Sequence, residues 1–168
     1  LAEDLRNQLK EAEYIERGIR LLIRSQAAAK ELAANGRPEH NLVRLAAPWR
    51  AWMMMNESFS RREGHKADRA WRLFQLAFIL AHIPTFASRM DEYRDSHDPL
   101  LDEEGASLLY FPTGGGKSEA FYGTLLFALF LDRLRGKDRG ITGLIRYPLR
   151  LLTLQQAQRF LKLLVHAE

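Results

Sequence analysis

Residues 108–118, Leu-Leu-Tyr-Phe-Pro-Thr-Gly-Gly-Gly-Lys-Ser, place an apolar run, three glycines and a Lys-Ser pair in the order that phosphate binding requires. A buried strand aims such a loop, glycines let backbone N–H groups close around phosphate oxygens, and a helix begins at the ligand. In this arrangement Lys117 reaches the β- and γ-phosphates of ATP and Ser118 holds Mg2+. The candidate nucleotide contacts are therefore Pro112, Thr113, Gly114, Gly115, Gly116, Lys117, Ser118 and Glu119. The strict pattern G-x-x-x-x-G-K-[ST] asks for glycine at position 111, where Phe111 stands. A plainer reading is a glycine turn that only joins a strand to a helix.

Two further constellations flank the loop. About forty residues upstream, Arg72 and Gln75 stand as Arg-x-x-Gln in the apolar segment 71–80. Downstream, residues 148–156 read Pro-Leu-Arg-Leu-Leu-Thr-Leu-Gln-Gln. Arg150, at the start of a helix, offers a forked cation beside backbone N–H groups, a combination that holds a nucleic-acid backbone whatever its sequence. Arg146 and Gln155 extend that candidate surface, and Arg159 is a further candidate. The charge distribution agrees: residues 91–104 carry seven acids against Arg94 alone, whereas residues 132–162 carry eight Lys/Arg against Asp132 and Asp138. A local basic excess after the loop suggests a polyanion surface.

The elements that must position these groups can be read from periodicity. Leu5, Leu9, Ala12, Ile15, Ile19 and Leu22 recur at helical steps and predict a long helix ending near Ala34, before Asn35-Gly36-Arg37-Pro38. Glu13/Arg17 and Glu16/Arg20 are spaced for i,i+4 pairing on a solvent-facing scaffold helix. A second helix is expected over residues 42–60, with Trp49, Trp52 and the run Met53-Met54-Met55 as core rather than a binding surface. Residues 60–65 read as a solvated loop, residues 67–83 as a helix that Pro84 ends, and residues 88–104 as a solvated acidic connector. Residues 107–111 and 141–145 are expected to be strands around a helix over residues 117–134. That βαβ spacing predicts a parallel pair with a right-handed crossover, hence an α/β fold.

Bulk properties bound the rest. The chain has 168 residues, enough for one sizeable core and too few for two typical motor domains. It starts at Leu1 and ends at Glu168 inside a helical pattern, so it is read as a piece of a longer polypeptide. Cysteine is absent and the five histidines lack ligand spacing, which excludes disulfides and disfavours zinc. A reducing, cytoplasmic setting fits, and no membrane span or leader is expected.

Taken together, the loop, the Arg-x-x-Gln element and the Pro-x-Arg-x-Leu-x-x-Gln element resemble motif I, the upstream adenine-reading element and motif Ia of superfamily 2 helicases. The wording of residues 109–121 and 146–156 further resembles the large helicase subunits of bacterial DISARM anti-phage defence systems. The resemblance implies a helical region over residues 1–66 and, over residues 67–168, the first part of a RecA-like P-loop NTPase domain. It implies that the Gln75 amide, with donor beside acceptor, reads the adenine edge. It also implies an ATP-dependent helicase or translocase that grips nucleic acid, in this family DNA, and works with a second protein subunit. The acidic motif II and a second RecA domain are missing, so the chain alone is expected not to hydrolyse ATP. Two other functions fit parts of the pattern: a P-loop kinase or NTPase that ignores nucleic acid, and a non-catalytic scaffold using the long helix and the Met/Trp cluster.

Overall fold

In the computed structural model the described residues are 2–35, 39–62, 70–110, 112, 115–147 and 150–165. Their order is α1 (Ala2–Ala34), α2 (His40–Leu45), α3 (Ala47–Arg62), α4 (Leu73–Ala87), a 3₁₀ turn (Asp91–Ser96), α5 (Pro99–Asp102), α6 (Lys117–Leu134) and α7 (Arg150–Val165). The long first helix, the helix behind the loop and the closing helix lie where periodicity places them.

The expected α/β fold is not observed: among the described residues there is no strand and no sheet. Residues 105–110 and 141–147 carry no strand ladder, and Leu108, Tyr110, Ile141 and Leu144 are all at least 80% exposed. Parallel pairs are stable when both faces are covered and further strands continue the sheet. Local contacts hold the second segment instead. The Lys137 ammonium donates to Ile141 O (2.9 Å), and the Thr142 hydroxyl donates to Asp132 at the end of α6 (2.7 Å). Asp132 also receives Arg135 and Lys137, each at 2.8 Å. Burial pushes the Asp132 carboxyl up, but the donors from Lys137, Thr142 and Arg135 outweigh it and hold the carboxyl below its ordinary value.

One apolar core joins α1, α3, α4 and α6, with Leu21, Met55, Ile79, Ile83, Leu126 and Phe127 among its buried members. Of the methionine run expected in the core, only Met55 is buried there; Met53 and Met54 are exposed, because three consecutive helical positions cannot share one face. Helix α3 runs through Arg62, so residues 60–62 are helical rather than loop. Helix α4 likewise passes Pro84 and ends at Ala87. Proline removes the N–H that would bond Leu80 O, four residues back. That carbonyl faces Gly18 of α1, where a Cβ would lie 1.9 Å from Leu80 O. Gly18→Ala must therefore push two helix backbones apart. It is expected to destabilise the fold by about 3 kcal/mol and to lower the thermal midpoint by roughly 10 °C. An unchanged midpoint in a thermal melt would refute this close approach.

The acidic connector is held down by α1 and α2, contrary to its reading as a solvated run. Arg17 donates to Asp98 (2.7 Å) and to Ser96 O (3.0 Å), and Arg24 donates to Asp95 (3.0 Å) and to Glu92 O (2.9 Å). Arg44 pairs with Glu92, while Arg24 lies over the ring of buried Tyr93, 4.9 Å from its centroid. Arg17 thus leaves its expected helical partner for a distant one, while Glu16 and Arg20 pair at 2.6 Å as their spacing predicts. The hydrogen bond from Arg17 is the main cause that holds the Asp98 carboxyl low. Burial pushes Glu92 up, yet the Arg44 hydrogen bond leaves it below its ordinary value. Both folded carboxyls titrate below their unfolded counterparts. Their stabilisation is therefore full above about pH 4.5 and is lost as pH falls through the folded values. Urea unfolding at pH 7 and pH 3.5 should show a loss in acid that is smaller in a Glu92→Gln/Asp98→Asn variant. Equal acid losses would remove the clamp.

Candidate nucleotide-phosphate site

The candidate site lies where the glycine loop meets α6. Gly116 adopts φ +85°, a left-handed conformation that glycine takes without steric cost, and caps the helix with no side-chain hydrogen bond. Two residues from the start of α4 hold this turn. The Arg72 guanidinium donates to Gly115 O and the Gln75 Nε2 donates to Gly116 O, each at 2.8 Å. Gln75 Oε1 in turn accepts the Arg72 backbone N–H (2.9 Å), and the residue is 6% exposed. A Cβ on Gly116 would stand 2.7 Å from Gln75 Nε2, so the glycine is fixed by space as well as by φ.

These contacts have a consequence for polarity. The chain contains no cis peptide among its described residues. In a trans peptide the C=O and the next N–H point in opposite directions. With the Gly115 and Gly116 carbonyls turned to Arg72 and Gln75, the N–H groups of Gly116 and Lys117 face the other way. They do so at the N-terminus of an 18-residue helix, whose dipole favours an anion. The Lys117 ammonium lies 3.5 Å from Pro112 O, and Ser118 and Glu119 are half-buried in the first turn. Thr113 and Gly114 lie outside the described residues. An ammonium and outward N–H groups are donors of the kind that suits an anion such as a phosphate, and the Ser118 hydroxyl adds an oxygen of the kind a hard cation takes.

The candidate strand contacts are farther along. Arg146 is exposed and borders an open cleft of about 370 Å³ lined by Phe78, Phe121, Leu125, Leu144 and Tyr147. Arg150 opens α7, but its side chain, like Pro148 and Leu149, lies outside the described residues. Gln155 is exposed and shares one face of α7 with exposed Arg159 and Lys162, at steps of four and three residues. The adjacent face, about 100° around the helix, carries Gln156, Phe160 and Leu163 inward. There the Tyr122 hydroxyl of α6 donates to Gln156 Oε1.

Sequence reasoning located the glycine turn and the Arg-x-x-Gln element but not their contact. It also missed Asp132 and Tyr122, which are single polar residues in an apolar helix. Such residues give a weak signal until the partners they reach are known.

One similar protein is the DISARM protein DrmA of Bacillus paralicheniformis, 38% identical over 113 residues. The match covers 63% of this chain but spans 9% of that relative's length. No protein-family model matches the chain, and no solved structure matches it.

Proposed function

We propose that this chain forms the phosphate cradle and part of the strand-gripping surface of an ATP-dependent helicase or translocase acting on DNA in anti-phage defence. The similarity to a DISARM protein supports the defence setting. The observation that carries the chemistry is the pair of loop carbonyls held by Arg72 and Gln75, which leaves N–H groups of Gly116 and Lys117 outward at a helix N-terminus. Lys117 neutralises β/γ-phosphate charge and Ser118 contributes an oxygen to Mg2+, which supplies further neutralisation when bound. Arg150, with Arg146 and Gln155, holds a nucleic-acid backbone, and the exposed Arg159 and Lys162 continue that surface. Hydrolysis draws on acidic and arginine residues from the rest of the full-length protein, which also works beside a second defence subunit.

Gln75 distinguishes this account from simple base reading. Its amide already serves Gly116 and Arg72, so its contribution is to the loop rather than to the base. Gln75→Ala is expected to weaken ATP and GTP binding alike, by about 1–2 kcal/mol each. Titration of both nucleotides in Mg2+ tests the reading. Loss confined to ATP would assign Gln75 to adenine, and no nucleotide binding by the unaltered full-length protein would overturn the proposed function.

A further inference from the structure

The phosphate loop and the candidate strand surface sit on different helices, and a buried polar contact lies between these helices. Tyr122 lies on α6 four residues after Ser118, and its side chain is 1% exposed. The hydroxyl donates to Gln156 Oε1 on α7 and lies 3.2 Å from Gln156 O, while its ring meets Phe160 at 5.5 Å. The phenol of Tyr147, just before α7, lies near the same hydroxyl. Gln156 is itself buried, next to the exposed Gln155 and three residues before the exposed Arg159.

We propose that Tyr122 and Gln156 are a positioning pair through which occupancy of the phosphate loop and grip on a nucleic-acid strand affect one another. This inference rests on the function proposed above. Phe160 and Leu163 of α7 pack by apolar, non-directional contacts, which tolerate small rotations. A hydrogen bond to a buried hydroxyl does not, because a displaced amide leaves both groups unsatisfied. It ties α7 to α6 at a residue adjacent to the outward Gln155, three residues before Arg159 and six before Lys162. Burial first, and then the neighbouring Tyr147 phenol, push the Tyr122 phenol far above its ordinary value. The hydroxyl therefore remains a donor throughout the physiological range. A rotation of α6 on phosphate binding reaches α7 through a contact that is either made or broken. Coupling of this kind is reciprocal in binding free energy.

The test uses the full-length protein, a fluorescent oligothymidylate and Mg2+ with a non-hydrolysable ATP analogue. Strand affinity is measured with and without the analogue, and the ratio reports coupling. A ratio of about fivefold or more is expected for the unaltered protein. Tyr122→Phe keeps the ring and Gln156→Met keeps the length, and each should bring the ratio close to one. Strand affinity alone and nucleotide affinity alone should stay within about twofold, and the double variant should add nothing to either single one. An unchanged ratio in a folded variant overturns the proposal, as does parallel loss of both separate affinities. If Tyr122→Phe does not fold, Gln156→Met decides the matter alone. An unaltered protein that binds both ligands with a ratio of one overturns the coupling but not the functional reading. Failure to bind either ligand overturns both.

Discussion

Replacing Lys117 by alanine in the full-length protein should reduce ATP turnover by at least about a thousandfold while leaving the thermal midpoint almost unchanged. The ammonium stands at the first position of α6, beyond the loop peptides whose carbonyls Arg72 and Gln75 hold. On the proposed function, negative charge on the transferring phosphoryl group is met there by preorganised N–H donors and the Lys117 ammonium. Removing that cation costs about 4 kcal/mol in the transition state, which corresponds to the stated rate loss. The fold should tolerate the change, because Lys117 is only half-buried and its stem does not belong to the apolar core. Lys117→Arg should rescue poorly, since a planar fork does not replace a compact point charge. Steady-state hydrolysis beside a thermal melt checks both halves. Unchanged turnover would remove Lys117 from the phosphate site.

The other large effect is expected at Asp132. Its carboxylate gathers Arg135, Lys137 and the Thr142 hydroxyl at the end of α6, and its side chain is 8% exposed. Asp132→Ala leaves these partly buried donors without their shared acceptor and is expected to cost about 3 kcal/mol. The loss should extend beyond stability. Thr142 and Lys137 tie the segment that leads to Arg146 and Tyr147, so hydrogen exchange should rise over residues 137–147 before it rises in α4. Asp132→Asn keeps the shape and should lose less. Urea unfolding with site-resolved exchange tests this, and a uniform rise across the chain would show that Asp132 holds no local knot.

What the sequence made legible follows from the range of the forces involved. Helices α1, α6 and α7 depend on local hydrogen bonds and on apolar residues three or four apart, which a single chain displays directly. The glycine turn is equally local, because only glycine is at ease at the φ of Gly116. Strands over residues 107–111 and 141–145 are expected from short apolar runs on either side of a helix, but a strand exists through its neighbours, and such neighbours are not encoded at short range. Asp132 and Lys137 captured the second of these segments instead. Pro84 misled for a related reason: its helix runs on to Ala87, with the Leu80 carbonyl that proline frees packed against Gly18, 66 positions earlier. Similarly, the acidic run looked solvated because its arginine partners lie on α1 and α2. Among the candidate site residues, Lys117 and Ser118 were visible as types at fixed spacing. The hold of Arg72 and Gln75 on the loop was visible only in three dimensions.

The most direct test of the central claim is the rate of ATP hydrolysis by the full-length protein as single-stranded DNA is titrated in at constant Mg2+ and salt. A phosphate cradle joined to a strand-gripping helix predicts turnover that rises with DNA to a plateau. The midpoint should move to higher DNA concentration as salt increases, because phosphate contacts release counterions. Turnover that is absent, or present but indifferent to DNA at every concentration, would contradict the account.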